Sequence, residues 1–287
     1  ENAAQCVDLA IRYRLRAVSY GRGPDKQTIA RFKAAGVLCI PTVGALKHAL
    51  KAVELGADMI TIQGGEGGGH TGGVPSSILL PQVLNAVSVP VIAAGGYSTG
   101  RGLAGALAAG AVGIAMGTRF LMTRDSPTPS ATLAHYLKVN DPQLVRVTTA
   151  VDGMRHRMIE NPFINRLERA GSIGRLRIAL RSAWKWKQQN GKRLRHLFAV
   201  LRQAFKEDPG AVSQTVMAAN QPVLLQRSMI DGVPDEGILP SGQVAAAIGE
   251  LKSCQQVIEE IAREAERCLD ALVARHREQQ PARAQGN

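Results

Sequence analysis

His70 is the one imidazole in the chain that stands inside a glycine-rich loop, Gln63-Gly-Gly-Glu-Gly-Gly-Gly-His-Thr-Gly72. Imidazole titrates near neutrality, so a histidine so placed can remove an activated C–H proton. Glycine costs chain entropy, and a plain connector has no use for so much of it; a backbone that must approach a ligand closely does. Two further glycine turns close apolar runs, Pro90-Val-Ile-Ala-Ala-Gly-Gly96 and the stretch ending Met116-Gly117-Thr118. Gly95 and Gly96 precede a helix expected from Thr99, and helix N-termini attract phosphate through unsatisfied N–H groups and the dipole. Together these turns outline a pocket for a phosphate-bearing cofactor.

The elements that must position these turns repeat over residues 1–125. Helices are expected over Lys26 to Ala35, Ala45 to Leu55, Ser77 to Val87 and Thr99 to Ala109, three of them ending at Gly36, Gly56 and Gly110. Strands are expected at Arg16 to Tyr20, Val37 to Ile40, Met59 to Ile62, Pro90 to Ala93 and Val112 to Ala115. Their near-continuous apolar runs are those of parallel sheets buried on both faces. Every ligand-like loop falls at the carboxyl end of a strand, which fits the last five units of an α/β (β/α)8 TIM-type barrel. A Rossmann sheet would need Gly-x-Gly-x-x-Gly and a later acid, and no such pair occurs. On this reading about three βα units precede Glu1, and the start without Met reads as a fragment or a processed product.

From Arg124 onward the pattern reads as helical: Ala131 to Val139, a basic segment, Ala211 to Ala219, and a terminal helix from Ser253 to His276. The expected organisation is a barrel portion at 1–125 and a helical substrate or cap region at 126–250. A terminal helix at 251–278 packing back on the barrel and a disordered polar tail at 279–287 complete it. Between Arg166 and Lys206 stand twelve lysines and arginines against the single acid Glu168, most of the formal net charge of +12. Such clustering points to an anionic partner or to a solvated amphipathic hairpin. Trp184 and Trp186 beside Lys185 and Lys187 keep open a binding module for nucleic acid or anionic lipid on a partial barrel. Composition sets the rest: 45% hydrophobic residues can bury a full core, no run is long enough to span a membrane, and four scattered cysteines suit a reducing cytoplasm. No metal-ligand spacing stands out. His48, His135, His156, His196 and His276 read as structural, and Glu66 as a hydrogen-bond acceptor for loop amides in preference to a residue that orients His70.

The three glycine blocks, the last taken as Met116-Gly-Thr-Arg-Phe-Leu121, resemble in order the signature blocks of the nitronate monooxygenase (2-nitropropane dioxygenase) family, FMN-dependent barrel enzymes. Arg157 with Asn161, and Leu239-Pro-Ser-Gly-Gln243, agree with the same pattern. The resemblance implies that Gln63 and Gly68 bind the flavin. It also implies that Gly95, Gly96 and the stretch Ala115, Met116, Gly117 and Thr118 hold its phosphate, and that His70 is the base. The family usually has Ala where Gly67 stands. Val151-Asp-Gly-Met-Arg-His-Arg157, Met217-Ala-Ala-Asn220, Ile230-Asp-Gly232 and Leu251-Lys-Ser-Cys254 look most like a branch from bacterial steroid degradation acting on a coenzyme A thioester. That branch would give the basic segment, Arg193 and Arg195 among it, the coenzyme A phosphates to bind. Oxidation of alkyl nitronates by O2 and a flavin-free phosphate-binding barrel stay open as alternatives. NAD(P)H is carried as a candidate electron partner and a homodimer as a candidate assembly.

Overall fold

In the computed structural model, described over residues 2–21, 26–171 and 221–278 and at 174, 177, 178 and 181, apolar runs and glycine-ended helices alternate as a βα series. The series runs α1 (Asn2–Arg12), β1 (Ala17–Tyr20), α2 (Lys26–Ala34), β2 (Leu38–Val43), α3 (Leu46–Glu54), β3 (Ile60–Gln63) and β4 (Gly69–His70). It continues through α4 (Ser76–Leu84), β5 (Val91–Ala94), α5 (Gly100–Ala108), β6 (Gly113–Ala115), α6 (Thr118–Leu121) and α7 (Ser130–Leu137). Last come β7 (Val145–Thr148), β8 (His156–Ile159), α8 (Pro162–Arg169), α9 (Gln221–Leu225) and α10 (Cys254–Glu278). Gly36, Gly56 and Gly110 all take positive φ behind their helices, as expected of them.

The chain divides into two compact units. The first comprises residues 1–66, 72–116 and 252–287 and carries a five-stranded parallel sheet in the order β1-β2-β3-β5-β6. Neighbours follow chain order without reversal. A doubly wound sheet would reverse at a switch point, so the order is that of a barrel wall. Strand residues Ile60, Ile62, Val91 and Ala93 pack with Ala49, Leu79, Leu80, Val83 and Ala106 of the helices in one buried cluster. A second cluster joins Ala10 to Ile29, Phe32, Val37 and Cys39. Helix α10 lies on α5, where a Cβ on Gly100 would fall 2.5 Å from the Ile261 carbonyl oxygen.

The second unit comprises residues 67–71 and 117–251, so the division falls at Met116/Gly117 rather than at 125, and the His70 loop goes with the later residues. Here the expectation of helices alone is corrected. A three-stranded antiparallel sheet in the order β4-β8-β7 organises the unit. Asn161 links its parts: Oδ1 accepts from the Ile164 amide at 2.8 Å and caps α8, with Pro162 in the first helical turn. Its Nδ2 donates to the carbonyls of Pro234 and Gly237 at 2.7 and 2.9 Å. One core gathers Met158, Ile164, Leu167, Leu224 and Ile238, another Met122, Tyr136, Ile159, Leu239 and Ile248. The helix expected over Ala211 to Ala219, most of the basic segment with Arg193 and Arg195, and the 279–287 tail lie outside the described residues. Among the described residues no helix is long and apolar enough to cross a membrane.

Candidate active site

In the first unit the sheet register aligns the expected cofactor residues. Gln63 pairs with Ala94, and Ala94 with Ala115, so the carboxyl ends of β3, β5 and β6 stand level. Gln63, Gly95, Gly96, Ala115 and Met116 therefore gather at one end of this sheet. Gly95 and Gly96 have φ of +99° and +81°, a region that side-chain-bearing residues rarely adopt. A Cβ on Gly95 would lie 2.9 Å from the Gly64 nitrogen, so the two turns can approach only as glycines. Glu66 accepts from the Ser76 amide at 3.0 and 3.1 Å and from the Ser76 hydroxyl at 3.0 Å, at the start of α4. It serves a backbone amide, as read from the sequence.

The start of α5 departs from expectation. The Gly100 amide donates to Glu264 Oε2 of α10 at 2.7 Å, and the Gly102 amide to Thr99 Oγ1 at 3.2 Å. A carboxylate thus occupies the positive end of that helix, and an incoming phosphate is left with the glycine turn ahead of it. The residues still fit a phosphate-bearing group, because the turn is exposed at Gly96 and carries no side chain.

In the second unit, Gly68 is glycine because its missing Cβ would lie 2.5 Å from the Ser241 carbonyl carbon and 2.6 Å from the Gly242 nitrogen. The loop is seated on the Leu239 to Gln243 segment, whose Gly242 amide donates to Thr118 Oγ1 at 2.9 Å. An added Cβ on Gly117 would meet nothing within 4 Å. Arg119 is buried and donates to the carbonyls of Met122 and Glu250 at 2.6 and 3.1 Å, a structural use.

Around His70 the structure assembles what no local spacing disclosed. Strand β4 pairs with β8 so that His70 stands opposite His156, and the rings stack at 4.4 Å between centroids, 16° from parallel. His70 Nε2 lies 2.5 Å from Oδ2 of Asp152, whose side chain is fully buried while that of His70 is 42% exposed. The other oxygen of Asp152 accepts from the Met154 amide at 2.9 Å. The ligand-type atoms of His70, Asp152 and His156 lie within 4.8 Å of one another, close enough for a metal ion. The ring geometry opposes that use. An imidazole ligates through a lone pair in its own plane, and two nearly parallel stacked planes do not meet at a common ion. Proton handling suits the cluster better.

His156 is therefore more than the structural histidine read from the sequence. Burial first, then the neighbouring His70, pushes its pKa down from 6.5 to about 4, with Asp152 acting in the opposite sense. The folded chain thus refuses a proton that the unfolded chain accepts below about 6.5. This group leaves stability unchanged above that pH and lowers it progressively as pH falls to about 4. Urea unfolding between those limits should show wild type losing on the order of 2 kcal/mol relative to His156→Gln. Parallel pH dependences of the two proteins would contradict the buried neutral imidazole.

Sequential parallel βα units with glycine turns level at one sheet end define a barrel-type fold, and the family to which the chain belongs makes it an oxidoreductase. The chain belongs to the nitronate monooxygenase family, whose model matches residues 2–264. It is 43% identical over 273 residues to the (3aS,4S,5R,7aS)-5-hydroxy-7a-methyl-1-oxo-octahydro-1H-indene-4-carboxyl-CoA dehydrogenase of Rhodococcus jostii, covering 95% of this chain and 77% of that one. It is 45% identical over 266 residues to the Mycobacterium tuberculosis protein of the same name, covering 91% and 74%. Among solved structures, FabK from Thermotoga maritima matches with a TM-score of 0.72 at 27% identity, covering 95% of this chain and 75% of that one.

Proposed function

We propose that this oxidoreductase binds FMN and oxidises a coenzyme A thioester of a fused bicyclic acid, the kind of compound that remains of the sterol C and D rings. His70 is the base. The observation that carries the reading is the 2.5 Å contact between His70 Nε2 and the buried Asp152, which prepares a half-exposed imidazole to receive a proton. The relatives in Rhodococcus jostii and Mycobacterium tuberculosis, named for a carboxyl-CoA substrate, supply the substrate class.

In this reading Gly95 and Gly96 present backbone amides to the FMN phosphate, and Gln63, Ala115 and Met116 border the same sheet end. Gly68, Gly117 and Thr118 keep the cofactor roles that family resemblance gives them. Bound FMN would supply the two-electron oxidation, chemistry that no side chain here can perform. The protein's own part is acid–base. His70 takes the acidic proton beside the thioester carbonyl, the electron pair stays on the substrate as an enolate, and Asp152 balances the imidazolium formed. Anaerobic addition of the acyl-CoA should bleach the visible flavin band of wild type. Turnover with O2 or with a nicotinamide then identifies the electron acceptor.

The basic segment is assigned to the coenzyme A phosphates. Replacing Arg193 and Arg195 together by Ala should raise KM for the acyl-CoA more than for a small alkyl nitronate, and added salt should weaken acyl-CoA binding. Equal effects on both substrates would remove the assignment.

A further inference from the structure

The reading of His70 as the base leaves open which nitrogen reacts and what holds the ring. Three observations bear on this. Asp152 contacts Nε2, at 2.5 Å. Its carboxylate is fixed from behind: the Gly153 amide donates to the Thr149 carbonyl at 2.9 Å, Gly153 takes a φ of +81°, and the Met154 amide holds the other Asp152 oxygen. His156 lies under the His70 ring, 1% exposed, and its Nδ1 has no hydrogen-bond partner among the described residues.

A buried imidazole nitrogen without a partner costs free energy, and a polar ring chosen only to fill space would be replaced by an apolar one. The cross-strand register that places it opposite His70 gives it a use as a platform. A carboxylate accepts hydrogen bonds and donates none, so the proton of a neutral His70 sits on Nε2 and the lone pair on Nδ1. This is the reverse of the familiar serine-protease arrangement, where the carboxylate takes Nδ1–H and Nε2 reacts.

We propose that Asp152 and His156 are positioning residues for His70, Asp152 holding Nε2–H so that Nδ1 is the proton-accepting nitrogen, and His156 fixing the plane of the ring. The inference rests on His70 being the base, yet its first test needs no substrate. Substrate C–H breaks, N–H forms at Nδ1, and the electron pair remains on the substrate as the enolate. The imidazolium then carries a proton on each nitrogen, with Nε2–H still on Asp152.

The test begins with the 15N shifts of the His70 ring in labelled wild-type protein at a pH where it is neutral. They should report a protonated Nε2 and an unprotonated Nδ1. Asp152→Asn, whose amide can donate instead, should populate the other tautomer and lower kcat by on the order of 10²-fold with little change in KM. His156→Ala should also lower kcat, while His156→Phe, which keeps a stacking ring, should recover part of that loss. A wild-type proton on Nδ1 overturns the inference and leaves the substrate reading standing. So does an Asp152→Asn protein with unaltered tautomer and kcat. If acyl-CoA fails to bleach the flavin while the tautomer is as stated, the substrate reading falls and the positioning of His70 stands.

Discussion

His70→Ala keeps its FMN and loses on the order of 10²-fold or more in turnover, the usual contribution of a positioned general base. Flavin retention is expected because the glycine turn assigned to the phosphate, Gly95 and Gly96, acts through backbone amides that a side-chain truncation at His70 leaves in place. Turnover falls because no other group in the cluster can replace it. Asp152 is held by the Met154 amide, and His156 is buried with its pKa near 4 and is a weak base. Flavin content by absorbance and single-turnover reduction by substrate separate the two effects. Reduction at the wild-type rate would remove His70 from the chemistry.

Gly96→Leu abolishes flavin retention. A non-glycine residue at φ +81° is strained by about 1–2 kcal/mol, and the new Cβ would meet the Glu66 Cβ at 3.3 Å. The turn can relieve both only by moving, and movement carries the Gly95 and Gly96 amides away from where a phosphate would sit. Roughly tenfold weaker binding follows from strain alone, and the leucine side chain in an exposed cradle adds to it. Gel filtration followed by an absorption spectrum reads the outcome, with circular dichroism showing that the variant is folded. A folded variant that keeps its flavin would move the phosphate elsewhere.

Much of the first unit was legible because its signals are local. Runs such as Met59 to Ile62 and glycines such as Gly56 lie within a few residues of the elements they define, and the five parallel strands fall within a few residues of the expected runs. The second unit was not. Val145-Arg-Val-Thr148 and His156-Arg-Met-Ile159 are four-residue strands, and two-residue β4 exists only because β8 lies beside it. No periodicity can disclose a pairing between residues 70 and 156. Asp152 and His156 were both visible inside Val151 to Arg157, a motif that resembled a branch of the family, but a motif names residues without saying what they touch. The same limit hid the capping of Gly100 by Glu264, 164 residues away, so the helix end looked open to phosphate when a carboxylate fills it.

The central claim, a flavin oxidoreductase acting on a coenzyme A thioester through His70, is tested most directly by one anaerobic titration. Purified protein should show the visible band of bound FMN, or acquire it on titration with FMN. Adding the indane-carboxyl-CoA should bleach that band stoichiometrically in wild type and far more slowly in His70→Ala. A protein that neither carries nor takes up FMN, or one whose flavin the thioester leaves oxidised, would contradict the account.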